Sequence, residues 1–261
     1  MPDPKPLAFL TGASSGLGQA LAARYAMSGY RLALVGRNTA EIARWVAAQG
    51  YDATQARVYA ADVSRFDEIG AAASACLAEQ GLPDVVIASA GISIGVDPGI
   101  RSDLDVTARV FATNNLGLAA TFQPFVHRMA ERGSGRLVGL ASVAGIRGLP
   151  GHAAYCASKS AVIAYCESLR GDLRGTGVRV VTICPGYIDT PMTRRNRYPM
   201  PFLMPAERFA DQAFRTIDAG TSYRVIPWQM GVAAKLLRLL PNPLFDRVFA
   251  GRERKQREGE P

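Results

Sequence analysis

Short apolar runs recur along the chain, separated by longer stretches in which apolar and polar positions are mixed. Residues 7–10, Leu-Ala-Phe-Leu, are the first run, and residues 32–35, 58–61, 85–90, 136–141 and 178–183 repeat it. Runs this short, with little polar alternation, are the pattern of strands buried on both faces. The intervening stretches predict helices: residues 19–28 closed by Gly29, two more stopped at Gly50 and Gly81, and the longer segments 103–132 and 153–174. Strand alternating with helix predicts an α/β fold, a doubly wound parallel sheet with helices on both faces. Residues 232–240 add a helix with a cationic edge, broken at Pro241 and Pro243 before a second apolar segment at 244–249.

Composition narrows this picture to one globular α/β domain: 261 residues suffice for a large core, and 48% hydrophobic with 8% aromatic content is ordinary. Residues 7–228 read as that domain, preceded by a proline-rich, disordered lead (1–6) and followed by a basic helical extension and tail (229–261). The lead carries no apolar run, so a cytoplasmic protein is expected. Cys76, Cys156, Cys166 and Cys184 lie in apolar contexts without C-x-x-C spacing, which suits reduced core thiols. His127 and His152 are far apart and lack a paired ligand motif, so no metal site is expected.

The net charge is +8, and residues 221–261 hold eight Lys/Arg against four Asp/Glu, so +4 of the excess lies in that segment. Two readings follow for the extension. It rests weakly on an anionic membrane surface, or, the preferred reading, it packs over a cleft or a subunit partner while the basic end at 252–257 frays into water. A homo-oligomer, dimer or tetramer, is expected. No aromatic platform or recognition module accompanies the charge, so nucleic acid is not an expected partner.

Candidate chemistry begins at the first strand, which runs directly into Thr11-Gly12-Ala13-Ser14-Ser15-Gly16-Leu17-Gly18. Glycines at a strand-to-helix turn let backbone approach a pyrophosphate, and the first-turn N–H groups with the helix dipole stabilise its charge. At the end of the second strand, Gly36-Arg37-Asn38 lacks the carboxylate that would accept the ribose 2′-hydroxyl of NAD. The Arg37 guanidinium suits the 2′-phosphate of NADP instead, so NADP is the expected cofactor, with NAD second. Tyr155 and Lys159 lie four apart, one helical turn, and Ser142 precedes the tyrosine by thirteen residues. An adjacent ammonium lowers a phenol's pKa from about 10 by roughly 1–3 units, which is expected to make Tyr155 an acid–base group near neutrality.

Together these motifs resemble the compact, single-domain branch of the short-chain dehydrogenase/reductase family. Asp62-Val63 after the third strand, Asn114, Ser142, Tyr155, Lys159, Pro185-Gly186 and Thr190 fit its order and spacing from residue 7 to about 192. One departure is Ser89-Ala90-Gly91, where the family usually has N-A-G; that asparagine is thought to brace the central sheet. The resemblance implies a Rossmann-like fold and hydride transfer between nicotinamide and a carbonyl or alcohol carbon. Tyr155 would move the proton, Ser142 would hold the oxygen, Lys159 would grip the ribose and Asn114 would position water. Gly12, Ser14, Ser15, Gly16, Leu17, Gly18, Arg37, Asn38, Asp62, Val63, Ala90, Gly91, Tyr155, Lys159, Pro185, Gly186, Ile188 and Thr190 would bind cofactor, Asp62 taking the adenine amino group.

Residues 187–205 fall where the family keeps its substrate lid. Ser93, Ile94, Leu149, Tyr187 and Met192 are the expected substrate pocket, suited to an apolar small carbonyl or alcohol. Arg194, Arg195 and Arg197 either meet a substrate anion or form a solvated basic face. The alternatives to a redox enzyme are a non-redox relative catalysing epimerisation or dehydration, and an NADP-binding regulatory protein.

Overall fold

The computed structural model describes residues 5–196, 198–251 and 254–259. In chain order the elements are β1 (Leu7–Thr11), α1 (Gly16–Met27), β2 (Arg31–Gly36), α2 (Thr39–Ala48), β3 (Ala56–Ala60), α3 (Phe66–Glu79), β4 (Val85–Ala88), α4 (Asp103–Phe111), α5 (Gly117–Arg132) and β5 (Gly135–Leu140). They continue with α6 (Ala153–Asp172), β6 (Val178–Pro185), β7 (Ile188–Asp189), β8 (Met204–Pro205), α7 (Ala206–Asp218), β9 (Tyr223–Ile226), α8 (Trp228–Leu239) and α9 (Asn242–Phe249). The main sheet has the order β3-β2-β1-β4-β5-β6-β9, and its neighbouring strands are parallel. β7 and β8 make a separate two-stranded sheet.

Period-two alternation explains why the central strands carry no polar face. In β1, Leu7 and Phe9 enter one buried cluster with Phe122, Phe125 and Val162, while Ala8 and Leu10 enter another with Leu21, Tyr25 and Ile217. Helices cover both sides, and their apolar stripes bury this sheet from above and below. All four cysteines are buried with free thiols.

Strand order reverses between β1 and β4, so their carboxyl ends diverge into a crevice of the kind in which α/β sheets bind ligands. The buried Thr11 hydroxyl sits at that fork, accepting from Ser89 N at 3.2 Å and Ala90 N at 3.4 Å. It ties β1 to the segment after β4, where Ser89 replaces the usual asparagine.

Several elements depart from the expected pattern; helix α7 and the two-residue strands β7 and β8 were not predicted. The stretch 103–132 is not one helix, because a π-helical turn, Ala112–Leu116, interrupts it between α4 and α5. The edge strand β9 was not predicted: Tyr-Arg-Val-Ile is only four residues long and half of it is not buried, so its apolar signal is faint. No described helix is long and apolar enough to cross a membrane.

Candidate active site

The turn after β1 is shaped by close backbone approach. Gly12 has φ +74°, and a Cβ there would lie 2.8 Å from Ala90 Cα; a Cβ on Gly18 would lie 2.0 Å from the Gly12 carbonyl oxygen. Only glycine satisfies both, and the result is a tight turn feeding the N-terminus of α1. Ser15, the N-cap, contributes no side-chain cap, while Gln19 Nε2 donates to Ser14 O at 2.8 Å and holds the loop. The first-turn amides of α1 are thus left to a ligand, the arrangement that suits a pyrophosphate.

A second group converges on the same groove from β5 and α6. Ser142, mostly buried at the end of β5, accepts from Ala144 N at 3.1 Å and hydrogen-bonds with the Tyr155 phenol. Lys159 is buried one turn along α6, its Nζ donating to Leu140 O at 2.7 Å and standing 5.9 Å from the Tyr155 ring centroid. The electrostatics differ from the sequence expectation of a phenol lowered by its neighbouring lysine. Burial pushes the Tyr155 pKa above its ordinary value, and the Ser142 hydrogen bond only partly counters it. Burial also pulls the Lys159 ammonium down to about 8. Desolvation is thus the largest influence on each group.

Asn114 sits in the π-helical turn and is almost wholly buried. Its Oδ1 accepts from Ile92 N at 2.9 Å, and its Nδ2 donates to Ile92 O at 3.0 Å and Ser158 Oγ at 2.9 Å. Both amide hydrogens are committed to protein, so the side chain clamps the segment after β4 onto α6. An extra residue in a helix commonly re-aims one side chain in this way.

At the far end of the groove Arg37 is 73% exposed by side chain, and its Nη1 lies 3.6 Å from Asp62 Oδ2. Burial would raise Asp62, but hydrogen bonds from Ser64 and the nearby Arg37 charge outweigh it and hold the carboxyl below its ordinary range. Gly12, Ser14, Ser15, Gly16, Leu17, Gly18, Arg37, Asp62, Val63, Ala90, Gly91, Ser142, Tyr155, Lys159, Pro185, Gly186, Ile188, Thr190 and Met192 all line this one groove. Asn38 does not: its Oδ1 accepts from Glu41 N at 3.1 Å, so it is spent capping α2. Thr113, Leu140 and Thr193 also line the groove, and sequence reasoning missed them because they flank motif positions without carrying ionisable chemistry.

A profile of the family described as short chain dehydrogenase matches residues 6–200. The chain belongs to that family. It is 41% identical over 240 residues to an uncharacterised oxidoreductase of Myxococcus xanthus, covering 92% of this chain and 94% of that protein. Among solved structures, a short-chain dehydrogenase/reductase from Burkholderia phymatum in complex with NAD superposes with a TM-score of 0.79 at 26% identity, covering 89% of this chain and 92% of that one. A variant of actinorhodin polyketide ketoreductase crystallised with NADPH gives 0.78 at 25% identity, covering 85% of this chain and 95% of its own. The protein is accordingly an NAD(P)-dependent short-chain dehydrogenase/reductase acting on alcohol or carbonyl groups.

On the substrate side of this dehydrogenase the expected pocket residues scatter. Met192 lines the groove, but Ser93, Ile94, Leu149 and Tyr187 do not. Ile94 packs against the small cluster of Val96, Val106, Val110 and Ala154, because the segment after β4 turns its apolar side chains toward α4 and α6. Leu149 bends the chain into α6, its carbonyl accepting from His152 N at 3.1 Å, and the Tyr187 ring stands 6.3 Å from that of Tyr198. Arg194 is paired with Asp189 at 2.7 Å, which removes it as a waiting anion partner. Arg197 and the Arg195 side chain lie outside the described residues.

A polar pair here was not foreseen. His152 is buried, with Nδ1 3.0 Å from Pro150 O and Nε2 3.3 Å from the Tyr198 hydroxyl. The carbonyl requires a proton on Nδ1, and burial lowers the imidazole pKa, so neutral His152 accepts from Tyr198 through Nε2. Tyr198 is close enough to Tyr187 and Tyr155 for their charges to raise its pKa further, behind burial as the main cause.

Proposed function

We propose that this protein is an NADP(H)-dependent reductase of small, apolar carbonyl compounds with Tyr155 as the proton donor. One observation carries the reading: a Tyr155 phenol, kept protonated by burial, is hydrogen-bonded to Ser142 in the same groove as the glycine turn. A neutral phenol is a proton donor, and carbonyl reduction needs one.

The residues divide the work along the groove. The turn at residues 12–18 would hold the pyrophosphate, Asp62 and Val63 the adenine, and Arg37 the 2′-phosphate. Lys159 would hold ribose hydroxyls, and Ala90, Gly91, Pro185, Gly186, Ile188 and Thr190 would line the path of the remaining cofactor. When bound, the cofactor supplies the hydride that the carbonyl carbon accepts. Ser142 donates a hydrogen bond to the substrate oxygen, and Tyr155 passes its proton to that oxygen as it becomes an alcohol. The Tyr155 oxygen then recovers a proton from solvent. Asn114 acts as a positioning residue for α6 instead of a water holder, since its amide is committed to Ile92 and Ser158.

Met192 supports an apolar substrate, being a groove-lining side chain that is 40% exposed. The enzyme would work in the cytoplasm as a homo-oligomer without nucleic-acid partners. The direct test follows NADPH and NADH absorbance across a panel of simple and aromatic ketones. NADPH-dependent reduction is expected; oxidation of NADH at equal or greater kcat/KM contradicts the cofactor assignment.

A further inference from the structure

The described end of the chain does not fray. Residues 254–258 return to the body of the protein and touch the segment after β4, the segment after β7 and the turn before α6. Gly95 N donates to Gln256 O at 3.0 Å, and Gly95 pairs with Arg257 as an isolated parallel bridge. Lys255 Nζ donates to Asn196 Oδ1 at 2.5 Å, and Arg254 lies over Gly151, just before α6. Arg257 then forms a two-pronged contact with the mostly buried Asp103, Nε to Oδ2 at 2.8 Å and Nη2 to Oδ1 at 3.0 Å. Asp103 Oδ2 also accepts from Asp97 N at 2.7 Å, so the same carboxylate anchors the segment after β4. Glu258 pairs with Arg109 on α4.

Two glycines are needed for this path. A Cβ on Gly95 would stand 2.1 Å from Lys255 O, and a Cβ on Gly151 would stand 2.7 Å from Arg254 Cβ. Any side chain at residue 95 would push the segment off. The crossing touches positions three or four residues from Ile92, Tyr155 and Thr193, which line the groove: Gly95, Gly151 and Asn196. Lys255 is also near enough to depress the His152 pKa, and His152 lies 3.3 Å from the Tyr198 hydroxyl.

We propose that residues 254–258 are a specificity element: a strap, latched by Arg257 on Asp103 and seated on Gly95, that walls the outer side of the substrate cleft and limits the enzyme to small carbonyl compounds. The limit on size rests on the reduction reading above; the seating of the strap does not. Two full-length variants loosen it from opposite sides. Gly95→Ala places a methyl group against Lys255 O, and Arg257→Gln removes the charged latch.

Hydrogen exchange of the backbone at residues 92–97 and turnover of acetone, acetophenone and acetylnaphthalene with NADPH test the two parts separately. Opening of the strap is expected to raise exchange at 92–97 by about ten-fold or more. It is also expected to raise kcat/KM for acetylnaphthalene relative to acetone by about ten-fold. Unchanged exchange in both variants overturns the strap, and raised exchange with an unchanged ratio overturns its role in specificity. If Gly95→Ala fails to fold by circular dichroism, Arg257→Gln decides. Absence of turnover in every protein overturns the reduction reading, and exchange alone then decides the strap.

Discussion

Lys159 and Arg37 mark the two ends of the groove and respond to different variables. An ammonium held down at about 8 is charged at neutral pH and loses its proton as pH rises through that value. Free-enzyme kcat/KM for NADPH should therefore fall above about pH 8, since the group proposed to hold the ribose becomes neutral; a profile flat to pH 10 contradicts the assignment. Stability has the opposite sign. The unfolded chain binds this proton up to the ordinary 10.5, so between about 8 and 10.5 this site makes folding more favourable as pH rises. At the other end, Arg37→Ala should weaken NADPH about ten- to a hundred-fold and leave NADH nearly unchanged, the loss of one charge-assisted contact being about 1.5–3 kcal/mol. Fluorescence titration of both cofactors checks it, and equal losses for the two would show that Arg37 only shapes the loop.

Among the elements, the π-helical turn makes the sharpest mechanical claim. Asn114→Leu removes the clamp between Ile92 and α6, and each buried polar group left unpaired costs about 1–3 kcal/mol. Urea unfolding should show that loss, and unchanged stability would return Asn114 to a role in solvent relay. That turn was invisible in the sequence because one extra residue shifts a helical pattern without erasing it. The central strands were legible because runs such as Leu-Ala-Phe-Leu at 7–10 bury both faces, whereas β9, short and half-covered, had no such run. Glycine-turn and α6 positions were readable because their chemistry is fixed by spacing along one element. The substrate side depends on how separate loops fold back: Ile94 turned into a satellite core, Asn38 into a cap, and the His152–Tyr198 pair joins residues that no local pattern connects.

At the scale of the whole molecule, helix α8 carries an apolar face that the described residues leave exposed. Gly231 and Ala234 of α8 are buried, while Trp228, Val232, Leu236 and Leu239 form an exposed apolar row, with Leu239 80% exposed. A second copy seated there would account for the expected homo-oligomer. Light scattering should report a dimer or tetramer, and Leu236→Glu should shift it to a smaller species; a wild-type monomer contradicts this. Despite the +8 charge, little sedimentation with anionic liposomes is expected once that row is covered by a second copy. The claim on which the rest depends is that one molecule binds NADPH along the groove and donates a proton from Tyr155. Tyr155→Phe keeps the ring and removes that proton, so the decisive measurement is single-turnover ketone reduction with NADPH already bound. The rate should fall at least ~10²–10⁴-fold while NADPH affinity stays within about two-fold of wild type; a near-wild-type rate would contradict the account.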